Sequence, residues 1–198
     1  MIIGFAGKAG AGKDYAARMV ADMFAERNVK TYKFADPMKQ FCKAVFDWTE
    51  DHTDGDLKEK EDANGICPRV ALQKLGTEWG RTLHEDVWVD CCLRQIYRDS
   101  IRRPEKPTSG GFTASWVNRR VDVALITDVR FTNECQAIQK HGGQVIFIDG
   151  GESATEHSGH PSETSLADVA GIADLVIDNR NKSERLLFTA LEHFLKNC

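Results

Sequence analysis

Seven residues near the N-terminus, Gly7-Lys8-Ala9-Gly10-Ala11-Gly12-Lys13, match G-x-x-x-x-G-K. The pattern narrows the possible folds sharply, because it works only between a strand and a helix. Its glycines let successive backbone N–H groups turn inward toward a polyphosphate. The helix adds its N-terminal dipole and its free N–H groups. Both flanking elements are predicted here. Residues 2–6 form a short apolar run, and Ala16, Met19, Val20, Met23 and Phe24 recur at helical spacing on one stripe. Lys13 would reach the outer phosphates as a point charge. Ser or Thr usually follows that lysine and holds Mg²⁺ through its hydroxyl. Here Asp14 and Tyr15 follow. Asp14 either acts on Mg²⁺ through water or caps the helix.

The rest of the chain continues the alternation. A second strand is predicted over 29–34. Asp36-Pro37 then opens a helix, with Phe41, Val45 and Phe46 on its buried face. Residues 49–66 are polar and read as a mobile loop or an insertion. A helix starts at Pro68 and ends near Gly76 and Gly80, and another runs over about 85–101. A Pro- and Gly-rich loop covers 102–115. A strand at 121–127, a helix at 134–141 and a strand at 144–148 come next. A polar lid covers 149–171, a short strand 175–177, and the closing helix buries Leu187, Ala190, Leu191, Phe194 and Leu195. This order predicts an α/β fold with a parallel sheet of about five strands and helices on both faces. Ligands bind such sheets outside the carboxyl ends of the strands.

Composition excludes other classes. The 26 basic and 30 acidic residues leave a net charge of −4, which argues against coating a nucleic acid polymer. No apolar run approaches the ~20 residues needed to span a bilayer, and the N-terminus has no basic region ahead of its apolar stretch. The expectation is a cytoplasmic protein. The six cysteines form no C-x-x-C pair, and each reads as a reduced, small buried hydrophobe.

Several strand ends carry chemistry. Asp36 follows the second strand and either orients an acceptor hydroxyl or phosphate or caps the next helix. Ala124-Leu125-Ile126-Thr127-Asp128 is an apolar strand ending in a carboxylate suited to Mg²⁺ or its water, and Arg130 can clamp phosphoryl oxygens. Alternatively, Asp128 and Arg130 pair only with each other. Gly76-Thr77-Glu78-Trp79-Gly80-Arg81 suits a pocket for a nucleobase and a phosphate, or else holds a core Trp and a surface ion pair. His157, His160 and Glu163 match no strong zinc spacing. Arg94, Arg98, Arg102 and Arg103 read as a solvated helix face, and Arg119 and Arg120 are similar.

These strings together resemble the phage-type deoxynucleoside monophosphate kinases, P-loop enzymes related to adenylate and dephospho-CoA kinases. The resemblance rests on G-K-A-G-A-G-K-D at 7–14, F-A-D-P-M-K at 34–39 and A-L-Q-K-L-G-T-E-W-G-R at 71–81. It continues with T-D-V-R-F-T-N-E at 127–134, H-P-S-E at 160–163 and V-I-D-N at 176–179. It implies one P-loop kinase domain over 1–198, with an acceptor-binding region at about 36–115 and the lid at 149–171. It further implies γ-phosphoryl transfer from ATP to a deoxynucleoside 5′-monophosphate, with Mg²⁺. ATP would meet Gly7, Gly10, Ala11, Gly12, Lys13, Asp14 and Tyr15, with Asn179 near adenine through its backbone. Lys13, Asp36, Asp128 and Arg130 would be catalytic, and Asp14 and Asp128 would serve the metal. Asp36, Lys39, Arg69, Glu78, Trp79 and Arg81 would line the monophosphate pocket. The partners implied are small molecules, in a phage or prophage protein of bacterial cytosol. A homodimer stays open. The family usually has Thr where Tyr15 stands and Pro where Thr132 stands. Two other readings stay in view: another small acceptor such as dephospho-CoA, since P-loop kinases share the donor site, and a nucleotide-binding module without catalysis, which Tyr15 supports.

Overall fold

The computed structural model describes residues 1–101, 120–151 and 165–197. His157, His160, Glu163, Arg102, Arg103 and Arg119 lie outside these, as does most of the lid expected at 149–171. The described residues divide into two compact units. The first contains residues 1–32 and 94–198, and the second contains residues 33–93.

The first unit is built on five parallel strands: β1 (Ile2–Ala6), β2 (Val29–Tyr32), β3 (Val123–Val129), β4 (Gln144–Asp149) and β5 (Leu175–Asp178). Their order in the sheet is β2-β3-β1-β4-β5. The central strands are apolar throughout because helices cover both faces of the sheet. The helices α1 (Lys13–Met23) and α8 (Glu184–Lys196) cover one face, while α6 (Thr132–Lys140) and α7 (Leu166–Ile172) lie on the other. On the α1/α8 face Ile3, Phe5, Val123, Leu125, Ile146 and Ile148 pack with Val20, Leu187 and Leu191 in one buried cluster. Each such side chain contributes about 1.5–3 kcal/mol by leaving water. The expected stripes of α1 and α8 face this core. Helix α6 starts at Thr132, so the absence of Pro there does not displace its start.

The second unit carries α2 (Asp36–Phe46), α3 (Glu50–Thr53), α4 (Pro68–Gln73) and a π-helical stretch, Lys74–Arg81. The helix α5 (Val87–Ser100) contains the boundary between the units. Two expectations change here. In α2, Lys39 and Cys42 are the buried residues, whereas Phe41 and Val45 are 53% and 55% exposed. Periodicity finds an apolar stripe but not which side of a helix has a neighbour. Residues 49–66 are not a bare loop. Besides α3, Asp62 organises them by accepting from Trp48 Nε1 at 2.9 Å and from the N–H groups of Asn64 and Ile66 at 2.8 and 2.9 Å. The Ile66 N–H and the Trp48 indole hold the Asp62 carboxyl below the usual range, against the opposing effect of desolvation.

Gly76 and Gly80 lie near the end of the helical run that starts at Pro68, as expected, and are the two buried positions of its π-helical stretch. Met38 fills the space beside Gly76 and Trp88 the space beside Gly80, and the Trp88 Nε1 donates to the Gly76 carbonyl at 2.9 Å. A Cβ on Gly80 would stand 2.4 Å from Trp88 Cζ2. Helix propensity favours Gly80→Ala by about 1 kcal/mol, but overpacking costs about 1–3 kcal/mol and endangers the indole hydrogen bond. Packing wins, so thermal denaturation should show a destabilised Gly80→Ala variant. An unchanged or raised melting temperature would disprove this reading of the Trp88 contact.

Cys42, Cys92 and Cys135 are buried, while Cys67 and Cys91 are only half-buried, so not every thiol is a core residue. Burial, with Asp174 nearby, pushes the Cys135 thiol up to about 11.

Candidate active site

The glycine loop joins β1 to α1, as the sequence requires. Its base is held tightly. Gly7 has φ 139°, and a Cβ there would stand 2.3 Å from the Ile148 carbonyl oxygen. Gly150 approaches so closely that a Cβ on it would lie 2.5 Å from Ala11 Cα. Asn179, just past β5, donates from Nδ2 to the Ala11 carbonyl at 3.0 Å. The tip differs. Lys8, Ala9 and Gly10 are exposed, and a Cβ on Gly10 would meet nothing within 4 Å. The loop is thus braced from beneath and open at its tip, the shape of an anion cradle. Lys13 is buried, and its ammonium donates to the carbonyls of Gly7 and Lys8, both at 2.8 Å.

One alternative drops out here. The cap position of α1 is Gly12, so Asp14 is not the N-cap; it lies exposed in the first turn, where the helix dipole favours a carboxylate. Asn179 braces the loop through its side chain, while its backbone N–H donates to the Asp149 carbonyl at 2.7 Å and its carbonyl accepts from the Lys182 N–H at 3.0 Å. Tyr15 lies on the surface. Arg18 sits 5.8 Å from its ring centroid, and Glu184 raises the phenol pKa, with burial adding and Arg18 opposing. The phenol therefore makes no substitute for the usual hydroxyl within the loop.

The ends of β4 and β5 are clamped beneath the loop. Arg180 donates from Nε and Nη2 to Asp149 Oδ2 at 3.2 and 2.9 Å. The Gly151 N–H donates to the other Asp149 oxygen at 3.0 Å. That backbone hydrogen bond is the main cause holding the Asp149 carboxyl below its ordinary range; burial opposes it, and Arg180 and Lys8 assist.

Asp128 and Arg130 flank Val129, whose Cα partner is Ala6, the residue before Gly7. The topology therefore brings both to the strand end beside the loop. Asp128 is not past the strand but inside it, at an irregularity. Gly4 pairs with Ile126 and Ala6 with Val129, so Thr127 and Asp128 together stand opposite Phe5. Such a bulge re-aims side chains and is rare between parallel strands. Glu134 is a residue that sequence reasoning left without a role. It is only 3% exposed, and its carboxylate accepts from the N–H groups of Arg130 and Phe131 at 2.8 and 3.1 Å. The available signal was an acid at the third helical position, which reaches back to the helix start. Ser165 adds a hydrogen bond to the Arg130 carbonyl at 3.0 Å.

The second unit holds the other candidates. Asp36 is not a helix cap, since Ala35 occupies that position; its carboxylate accepts from the Lys33 N–H at 3.2 Å. Lys39 is buried and paired with Asp54, and Arg69 is paired with Glu59. Burial alone would raise the Asp54 pKa, but Lys39, Thr53 and Lys58 bring it below the ordinary value. Trp79 is 55% exposed and is not a core Trp; that role belongs to Trp88. Glu78 is exposed and Arg81 half-buried, with Arg81 Nη1 3.5 Å from the Glu85 carbonyl.

A deoxynucleotide monophosphate kinase of Acanthamoeba polyphaga mimivirus is 30% identical to this chain over 198 residues, covering 93% of this chain and 91% of the viral protein. The chain belongs to the deoxynucleoside monophosphate kinase family. The deoxynucleoside-5′-monophosphate kinase of Escherichia phage T5 is 32% identical over 108 residues, which is 51% of this kinase and 35% of the phage protein. Shikimate kinase from Aquifex aeolicus superposes with a TM-score of 0.51 at 13% identity, over 98% of this kinase and 94% of that chain. That likeness shows the P-loop α/β fold. No protein-family profile matches the kinase. Among its described residues no helix is long and apolar enough to cross a membrane.

The donor atoms suit a magnesium–nucleotide. Among the described residues no cluster of three or more His, Cys, Asp or Glu side chains forms a cage for a metal. Mg²⁺ needs no such cage, since it keeps several waters and shares one or two carboxylates with substrate phosphates. Asp128 and Asp14 are carboxylates on the loop-bearing unit that could serve.

Proposed function

We propose that this kinase transfers the γ-phosphoryl group of ATP to a deoxynucleoside 5′-monophosphate, yielding the diphosphate and ADP. The observation that carries the reading is the match to the mimivirus kinase along nearly the whole chain. The braced loop with its buried lysine is the donor site such a reaction needs.

Phosphoryl transfer asks little covalent chemistry of a protein. Rate comes from alignment and from charge placed on the transferring group. In this reading Gly7, Gly10, Ala11 and Gly12 cradle the ATP phosphates, and Lys13 exchanges its carbonyl partners for phosphate oxygens. Asn179 and the Asp149–Arg180 clamp keep the loop from shifting as it does so. Arg130, its backbone fixed by Glu134, carries a guanidinium suited to phosphoryl oxygens. Asp128 and Asp14 would hold hydrated Mg²⁺, which would supply charge neutralisation on the phosphates. Asp36 orients the acceptor phosphate. Trp79 and Glu78 receive the base. Lys39, Arg69 and Arg81 receive the monophosphate, with Lys39 and Arg69 first leaving Asp54 and Glu59.

The test is to incubate the protein with ATP, Mg²⁺ and each common deoxynucleoside monophosphate, then separate the products. The expected result is a new diphosphate with at least one acceptor, in amounts matching ADP. ADP without a diphosphate, or no turnover despite nucleotide binding, would overturn the reading.

A further inference from the structure

Among the described residues, Thr127 Oγ1 is buried with no hydrogen-bond partner, and the residue is 3% exposed. Folding rarely leaves a hydroxyl in that condition, because its desolvation is uncompensated. Valine has the same shape without that cost. The threonine therefore calls for an explanation beyond packing.

Its position supplies one. Val123 and Leu125 pack on the α1/α8 face of the sheet. Strict alternation would put Val129 on that face as well. Instead Val129 lies against Gly4 together with Ile138 of α6, on the opposite face. The parity of β3 changes between these points, where Thr127 and Asp128 share one partner, Phe5. The extra residue thus falls at the carboxyl end of β3, one strand from the glycine loop. It re-aims the unpartnered hydroxyl and its neighbouring carboxylate together. At the same time the loop lacks the hydroxyl that usually follows its lysine. Asp14 holds that position, and the Tyr15 phenol is turned to Arg18 and Glu184.

We infer that Thr127 supplies the missing hydroxyl: its Oγ1 is the protein's hydroxyl partner for the hydrated Mg²⁺ that accompanies the donor nucleotide. The inference rests on the donor-site reading above and adds to it the residue that makes the metal count. Thr127 and Asp128 then act as a pair presented by the bulge, one neutral and one charged.

The experiment compares wild type, Thr127→Val and Thr127→Ser by thermal denaturation without nucleotide. It also measures calorimetric binding of a non-hydrolysable ATP analogue in Mg²⁺ and in EDTA. The ratio of the two dissociation constants isolates the metal-dependent part of affinity. Thr127→Val is expected to melt at or above the wild-type temperature, since it removes an unpartnered polar group. Its metal-dependent ratio should fall about 10- to 100-fold, as for a lost outer metal partner. Thr127→Ser should keep the ratio. A lower melting temperature for Thr127→Val would show a structural hydroxyl and overturn the inference. So would an unchanged ratio in Thr127→Val, or a lost ratio in Thr127→Ser. If the wild type binds the analogue in neither condition, the donor-site reading falls with it. If the wild type binds with metal dependence and Thr127→Val matches it, only the role of Thr127 falls.

Discussion

Lys13→Ala should cut phosphoryl transfer by at least about a hundredfold, the scale seen when one preorganised charge-stabilising donor is removed. It should leave the fold in place. The ammonium is the buried cation of the glycine loop, and a methyl group cannot replace its charge near developing charge on the transferring oxygens. Its hydrogen bonds to the Gly7 and Lys8 carbonyls are local. The braces from Ile148, Gly150 and Asn179 are independent of it. Circular dichroism should therefore match wild type while turnover is lost. Wild-type turnover in this variant would mean that the reaction does not use this loop.

Gly7→Ala should be the most damaging small substitution in the first unit, by about 2–6 kcal/mol. Two costs add. A side chain at φ 139° occupies a region open in practice only to glycine, costing about 1–3 kcal/mol. The new Cβ would also sit 2.3 Å from the Ile148 carbonyl oxygen. That oxygen belongs to a strand paired on both sides, so it cannot retreat cheaply, and overpacking adds about 1–3 kcal/mol. For a chain of this size the melting temperature should fall roughly 4–24 °C. Gly10→Ala is the control. It carries positive φ but meets no atom within 4 Å, so only strain of roughly 1–2 kcal/mol applies. Equal stability of the two variants would show that the Ile148 contact does not limit the loop.

The alternation of strands and helices was readable from the chain, because its causes are local. Apolar runs of strand length, a stripe of Ala16, Met19 and Val20, and Pro37 and Pro68 in first helical turns all act within a few residues. The glycine loop was readable for the same reason: its function is carried by backbone conformation, and glycine spacing encodes that conformation directly. The resemblance to the kinase family rested on such strings, and the mimivirus relative bears it out.

What neighbours decide was not readable. Phe41 and Val45 match a buried stripe, yet α2 turns Lys39 and Cys42 inward. Trp79 and Trp88 carry equal apolar surface, and the space left by Gly80, with the Gly76 carbonyl as partner for the indole, selects Trp88 for the interior. Lys39 and Arg69 read as cations for a phosphate, while Asp54 and Glu59, distant in sequence, hold them as ion pairs. The clearest case is β3. Its sequence runs on as an apolar strand with no glycine or proline to mark an irregularity. The bulge arises only when Ile126 and Val129 register against Gly4 and Ala6. The sequence alone determined that a phosphate-binding loop starts a parallel sheet, since that depends on local backbone chemistry. Only the tertiary structure decided that, among the described residues, Thr127 is buried without a partner beside Asp128, because pairing register and burial belong to strands brought together from distant parts of the chain.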